Sequence, residues 1–152
     1  MYATQLSWHI EAPRSAVYRA LTDPAAIATW RVPDGMSGRV HEFDAREGGA
    51  FRVSLTYDAP TADGKSAPHT DTYHGHFVKL VPDEQVVEVL EFETGDPDLR
   101  GQMTMTTTLS DAAGGTDVLV VHEGIPDKVP AADNETGTRM ALAKLARLAE
   151  AG

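Results

Sequence analysis

The stretch "ADNETGTRMALAKLARL", Ala132–Leu148, decides the fold. Gly137, Ala141, Leu145 and Leu148 recur at helical spacing, and Thr138 and Leu142 widen them into a stripe. Asp133 can cap such a helix, which then runs from about Asn134 to Ala149. Glu135 lies in its first turn and Arg139, Lys144 and Arg147 lie further along, the distribution that the helix dipole favours. A helix with one apolar stripe must bury that stripe on a partner layer. The chain before it supplies the partner.

Outward from that helix the period changes to two, the mark of half-buried strands. "DVLVVHE" (Asp117–Glu123), "GQMTMTTTLS" (Gly101–Ser110), "QVVEVLEFE" (Gln85–Glu93), "TYHGHFVKLVP" (Thr72–Pro82), "AFRVSLTY" (Ala50–Tyr57) and "GRVHEFDA" (Gly38–Ala45) all read this way. "DAAGGT", "TGDPD", Pro82–Glu84 and "REGG" are the turns between them, and Asp58–Asp71 is a loop rich in proline and small polar residues. A further strand, Thr4–Ile10, opens the chain, with Leu6, Trp8 and Ile10 on one face. Two short helices follow it. Pro13 fits the first position of one, whose Ala16, Val17, Ala20 and Leu21 share a face. Asp23 caps the other with Pro24 at its first position, and Ile27 and Trp30 share its apolar side. The order is strand, two helices, six strands and a long helix. That is an α+β fold in one domain spanning 1–152, with an antiparallel sheet of about seven strands curling round the C-terminal helix.

A chain of 152 residues can bury a substantial core without staples. It has no cysteine, which excludes disulfides and thiol chemistry. The formal net charge is −10, with Lys and Arg scattered singly, which disfavours nucleic acid and anionic membrane surfaces as partners. No signal-peptide pattern and no transmembrane stretch is present, so the expected location is cytoplasmic.

"IEAPRSAVYRALTDPAAIATW" (Ile10–Trp30), "FDAREGGAFRV" (Phe43–Val53), "GHFVKLVPDEQVV" (Gly75–Val87), "GGTDVLVVHEGIP" (Gly114–Pro126) and the terminal helix occur in the order of a known family. Together they resemble the START-like, or SRPBCC, superfamily of helix-grip proteins, in the branch named for the activator of the heat-shock-protein-90 ATPase. The resemblance implies an elongated cavity between the long helix and the concave face of the sheet. Relatives bind lipids, hormones or polyketides there, and some are cyclases. Its walls here would come from Trp8, Trp30, Phe51, Val53, Tyr57, Phe77, Phe92, Met103, Met105, His122, Thr138 and Ala141. Many relatives have tryptophan where Thr138 stands, so the cavity here is expected to be larger or more polar.

Two ionisable residues are candidates for chemistry. In "DVLVVHEG", Val118, Val120 and His122 share a face, and Leu119, Val121 and Glu123 the other. Both faces are apolar, and the family pattern turns the first set inward. A buried neutral histidine needs a hydrogen-bond partner and could orient a ligand or serve as acid or base; equally, it could be a satisfied histidine at a strand end. Its pKa is expected below the free value of about 6.5 unless a carboxylate such as Glu88 lies beside it. Glu88 points inward if Leu90 and Phe92 do, unless a bulge turns it out to water. His74 and His76 share a strand face opposite Tyr73 and Phe77 and read as solvated, so no metal site is expected. No cofactor fingerprint or nucleophile motif occurs.

The expectation is therefore a binding module for a small, largely apolar molecule, with no cofactor. An enzyme of the cyclase, dehydratase or hydrolase type in the same cavity is the alternative. A chaperone-partner domain comes last, because related activators use an additional domain. A homodimer is left open.

Overall fold

The computed structural model describes residues 1–58 and 70–152. The elements, in order, are β1 (Tyr2–Ile10), α1 (Arg14–Leu21), α2 (Pro24–Trp30), β2 (Met36–Phe43), β3 (Ala50–Tyr57), β4 (Thr70–Val81), β5 (Gln85–Phe92), a single 3-10 turn (Pro97–Leu99), β6 (Met103–Ala112), β7 (Gly115–Ile125) and α3 (Ala131–Ala151). The seven strands form one antiparallel sheet in the order β1-β7-β6-β5-β4-β3-β2. Every pair but β1–β7 is a hairpin of sequence neighbours, and β1–β7 closes the two chain ends against each other. Register shifts at Tyr2/Thr4, Val40/Glu42 and Phe77/Lys79 are bulges that help bend the sheet. The result is the α+β helix-grip architecture expected from the sequence, a curved open sheet with α3 lying on it.

Local chemistry sets the helix boundaries. Asp23 accepts from the Ala25 N–H at 3.1 Å, and Pro24 stands at the first position of α2. Pro13 caps α1 from just outside and is not its first helical residue; its carbonyl accepts from Ala16 and Val17. α3 begins three residues before the expected Asn134. The Pro130 carbonyl takes the N–H groups of Asp133 and Asn134, so Asp133 is not the cap and makes no capping bond. The earlier start puts Asn134 a full turn inside the helix, facing β7.

The stripe of α3 is rotated from the one its spacing suggested. Leu142, Leu145, Ala146 and Ala149 are the buried residues, while Leu148, Gly137 and Ala141 are only half-buried. α3 packs on β1, α1 and α2, and its buried residues, from Leu142 onward, lie in its C-terminal half. Its N-terminal half, which carries Gly137, Thr138 and Ala141, spans an open space instead. One helix thus has two jobs, and only the second half of its stripe is core.

Along β3, Phe51, Val53, Leu55 and Tyr57 alternate inward as expected. Phe51 packs on Phe77 at 5.2 Å between ring centroids and on Tyr73 at 6.2 Å, and Phe43 meets Phe77 edge-on at 5.4 Å. Gly75, on the inner face between Tyr73 and Phe77, leaves room for this. A Cβ there would lie 2.9 Å from the Phe51 ring and 2.0 Å from the Val89 carbonyl oxygen. The aromatic cluster fills one part of the concave face solidly. β2 begins at Met36, two residues earlier than expected, and ends at Phe43. Most of the expected loop Asp58–Asp71 lies outside the described residues, but its last two residues, Thr70 and Asp71, already belong to β4.

Candidate functional site

A cavity of about 700 Å³ lies between the N-terminal half of α3 and the sheet, with α2 at one end. Trp30 stands at that end. Its ring is buried, and its indole N–H donates to the Ala20 carbonyl at 2.8 Å, pinning α2 to α1. Most of the wall is apolar, from residues such as Leu90, Phe92, Met103, Val120 and Leu142.

The polar part of the wall is organised round Arg31, the residue that follows α2. Its guanidinium donates to Glu88 Oε1 at 2.7 Å, approaches Met105 Sδ at 3.7 Å, and lies over the Tyr73 ring at 5.4 Å from the centroid. Both partners of the ion pair are well buried, with side-chain exposures of 13% and 5%. Burial disfavours the guanidinium charge, but the Glu88 carboxylate outweighs it, so the pKa of Arg31 is raised and it stays charged. A buried pair of this kind contributes little net stability as a pair but is costly to break from one side. The register explains the grouping: Glu88 stands opposite Met105, and Met105 opposite His122, across β5, β6 and β7.

His122 is buried and turned inward with Val118 and Val120. Its Nδ1 lies 3.2 Å from the Asn134 amide nitrogen, and the Asn134 carbonyl oxygen accepts from the Thr4 hydroxyl at 2.8 Å. With the amide assigned in that sense, Nδ1 must be the acceptor and the ring proton rests on Nε2. Nε2 is buried and has no hydrogen-bond partner among the described residues; the Tyr73 hydroxyl is in the same situation. These two orphaned atoms both belong to residues lining the cavity. Buried polar groups are rarely left unpaired without a reason. Burial raises the Tyr73 pKa, with Glu88 adding to the rise and Arg31 opposing it, so the hydroxyl keeps its proton.

Burial, with the Arg31 charge adding to it, pushes the His122 pKa down from 6.5 to about 4. The expected depression is therefore present. The carboxylate that might have reversed it, Glu88, is engaged by Arg31 and is not a partner of His122. An NMR titration of the ring should give a midpoint near 4. The unfolded chain binds this proton as pH falls through 6.5, the folded chain only around 4. The stability this group contributes is thus complete above 6.5 and lost between 6.5 and 4. The loss is on the order of 3 kcal/mol. It should be missing in a His122→Asn variant, and a midpoint near the free value would place the ring in water.

Of the residues expected at the site, Trp30, Tyr57, Glu88, Phe92, Met103, Met105, His122, Thr138 and Ala141 line the cavity. Trp8, Phe51, Val53 and Phe77 do not. Phe51, Val53 and Phe77 are fully packed in the aromatic part of the core, and Trp8, on β1, lies half-buried against the core. Among the polar lining residues that sequence reasoning missed are Arg31, Tyr73, Asn134 and Asp71, the last accepting from the Tyr57 hydroxyl at 3.2 Å. Tyr73 had a usable signal, because it shares strand parity with Phe77. Arg31 had none beyond its place after Trp30. On the outer face of the sheet His74 bridges Glu91 and Glu93, both at 3.0 Å, and Arg52 clamps Glu93. The Arg52 hydrogen bonds foremost, helped by His74, hold the Glu93 carboxyl down to about 2. His76 is exposed, and no cluster suited to a metal ion occurs among the described residues. No helix among them is long and apolar enough to cross a membrane.

A sheet gripping a long C-terminal helix, with a cavity between them, defines a helix-grip protein of the SRPBCC class. Residues 11–150 match the family described as "Activator of Hsp90 ATPase homolog 1-like protein", and the chain belongs to it. Among solved structures, a protein from Chromobacterium violaceum is 34% identical with a TM-score of 0.86, the match covering 97% of this chain and 96% of that one. A protein from Rhodobacter sphaeroides shares the fold at 21% identity, TM-score 0.80, over 99% and 94% of the two chains. So does an AHSA1-like protein from Aeromonas hydrophila, at 20% identity, TM-score 0.73, over 98% and 92%. No curated protein matches the chain.

Proposed function

We propose that the chain is a binding protein for a small, largely apolar molecule, held between α3 and the sheet. One observation carries this reading: a mostly apolar cavity of about 700 Å³ is lined by Tyr73 and His122, whose buried polar atoms, Oη and Nε2, have no partner among the described residues. The volume falls within the range of about 300–1,000 Å³ common for small-molecule sites. An acid/base pair of His122 with Glu88 gains no support, because each is bonded elsewhere. The family name raises a chaperone contact. Among the described residues only Met1 and Val78 are exposed large hydrophobics, which gives that contact no apolar docking face.

Nile red, a neutral environment-sensitive dye, tests the reading. It should bind with one-to-one stoichiometry, brighten, and raise Tm by mass action. Thr138→Trp puts an indole on the cavity wall and should weaken the dye by about tenfold or more, equivalent to about 1.4 kcal/mol. Equal affinity in the variant would show that the dye sits elsewhere.

A further inference from the structure

We infer that the molecule taken by this cavity is uncharged and offers a carbonyl-type hydrogen-bond acceptor to the pole at Arg31, and that the matching carboxylate is rejected. This rests on the reading of the cavity as a binding site and specifies its ligand. Charge is the first ground. Among the described residues, the charged side chains on the wall are two cations, Arg31 and Lys128, and four carboxylates, Asp34, Asp71, Glu88 and Asp133. The inner cation is already neutralised: Arg31 is spent on Glu88 at 2.7 Å. Lys128 pairs with Asp96 on the exposed side. Among the described residues an entering anion would find no free cation, and it would face the buried Glu88 carboxylate. That is a cost no nearby group offsets. An entering ammonium would find Glu88 equally spent on Arg31, and a proton rather than a lone pair on His122 Nε2.

Hydrogen-bond polarity is the second ground. The Thr4–Asn134–His122 chain leaves the histidine proton on Nε2, so that nitrogen can only donate while the ring is neutral. It is neutral at pH 7, since burial holds its pKa at about 4. The Tyr73 hydroxyl is a second unspent donor. Both residues flank the Arg31 cluster: Arg31 lies over the Tyr73 ring, and it touches Met105, the cross-strand neighbour of His122. Two unspent donors beside a self-neutralised ion pair suit a group that accepts and carries no charge. A carbonyl oxygen, with two lone pairs and no proton, is such a group.

Four naphthalenes substituted at the same ring carbon separate these grounds: acetylnaphthalene, ethylnaphthalene, naphthoate and aminomethylnaphthalene. Dissociation constants at pH 7 should place the ketone about tenfold tighter than the ethyl compound. The naphthoate and the amine should bind more weakly than the ethyl compound. A naphthoate or amine as tight as the ketone overturns the proposal, and so does an ethyl compound as tight as the ketone. If Nile red binds and none of the four does, the carbonyl proposal falls while the binding reading stands. If Nile red also fails, both fall. Tyr73→Phe keeps the ring and removes one donor, so the ketone-to-ethyl preference should fall about threefold or more. Glu88→Gln leaves Arg31 uncompensated, so the naphthoate should gain about tenfold relative to the ketone. Preferences unchanged in both variants overturn the proposal even if one variant is less stable.

Discussion

Replacing Arg31 with alanine is expected to destabilise the protein by about 3–5 kcal/mol, read from denaturant unfolding at neutral pH. The size comes from what is left behind. Glu88 has a side-chain exposure of 5%, and its Oε1 would lose the 2.7 Å contact that compensates its charge. Tyr73 would lose the cation over its ring, a smaller loss. The double variant Arg31→Ala, Glu88→Gln should recover most of the deficit, since an amide needs no counter-charge. A loss below about 1 kcal/mol for the single change would mean that water reaches the pair and screens it.

Leu145→Ala is expected to cost about 2–5 kcal/mol. Leu145 is fully buried and stands where the packed half of α3 meets the cavity. The range is wide because the space opened by truncation can merge with the existing cavity, and the walls there have room to relax. Leu148→Ala, at a half-buried position on the same helix, should cost clearly less. Equal losses at the two positions would mean that the buried stripe is the one first suggested by spacing. A loss near zero at Leu145 would mean that α3 is not docked on the sheet.

These two residues also mark what could be read from the chain alone. Leu145 was legible because helical spacing forces it to one side with Leu142. What spacing could not show is where along the helix the partner layer ends, so Gly137 was placed only in the packed stripe when it faces the cavity. Strand parity put Glu88 on one face with Leu90 and Phe92, whereas both faces of β7 are apolar and only the family resemblance turned His122 inward with Val118 and Val120. Parity says which face, not how deep. Phe51 and Val53 share a face with Leu55 and Tyr57, yet only the latter pair reaches the cavity, because the Phe43–Phe51–Phe77 cluster fills the space beside the former.

Arg31 was invisible for another reason. Its partner Glu88 is 57 positions away in sequence, and the contact depends on α2 folding back over the sheet. No periodicity encodes that. The same holds for the Thr4–Asn134–His122 chain, which joins the first strand to the last helix. In both cases the residue types were ordinary, and the pairing is a property of the tertiary fold.

The most direct test of the binding account is an NMR measurement of contacts between bound Nile red and methyl groups of the protein. Intermolecular NOEs should link the dye to Met103, Met105, Thr138 and Ala141, which surround the cavity on both of its layers. Saturating binding with NOEs only to outward-facing groups such as Val78, and none to those four, would contradict it.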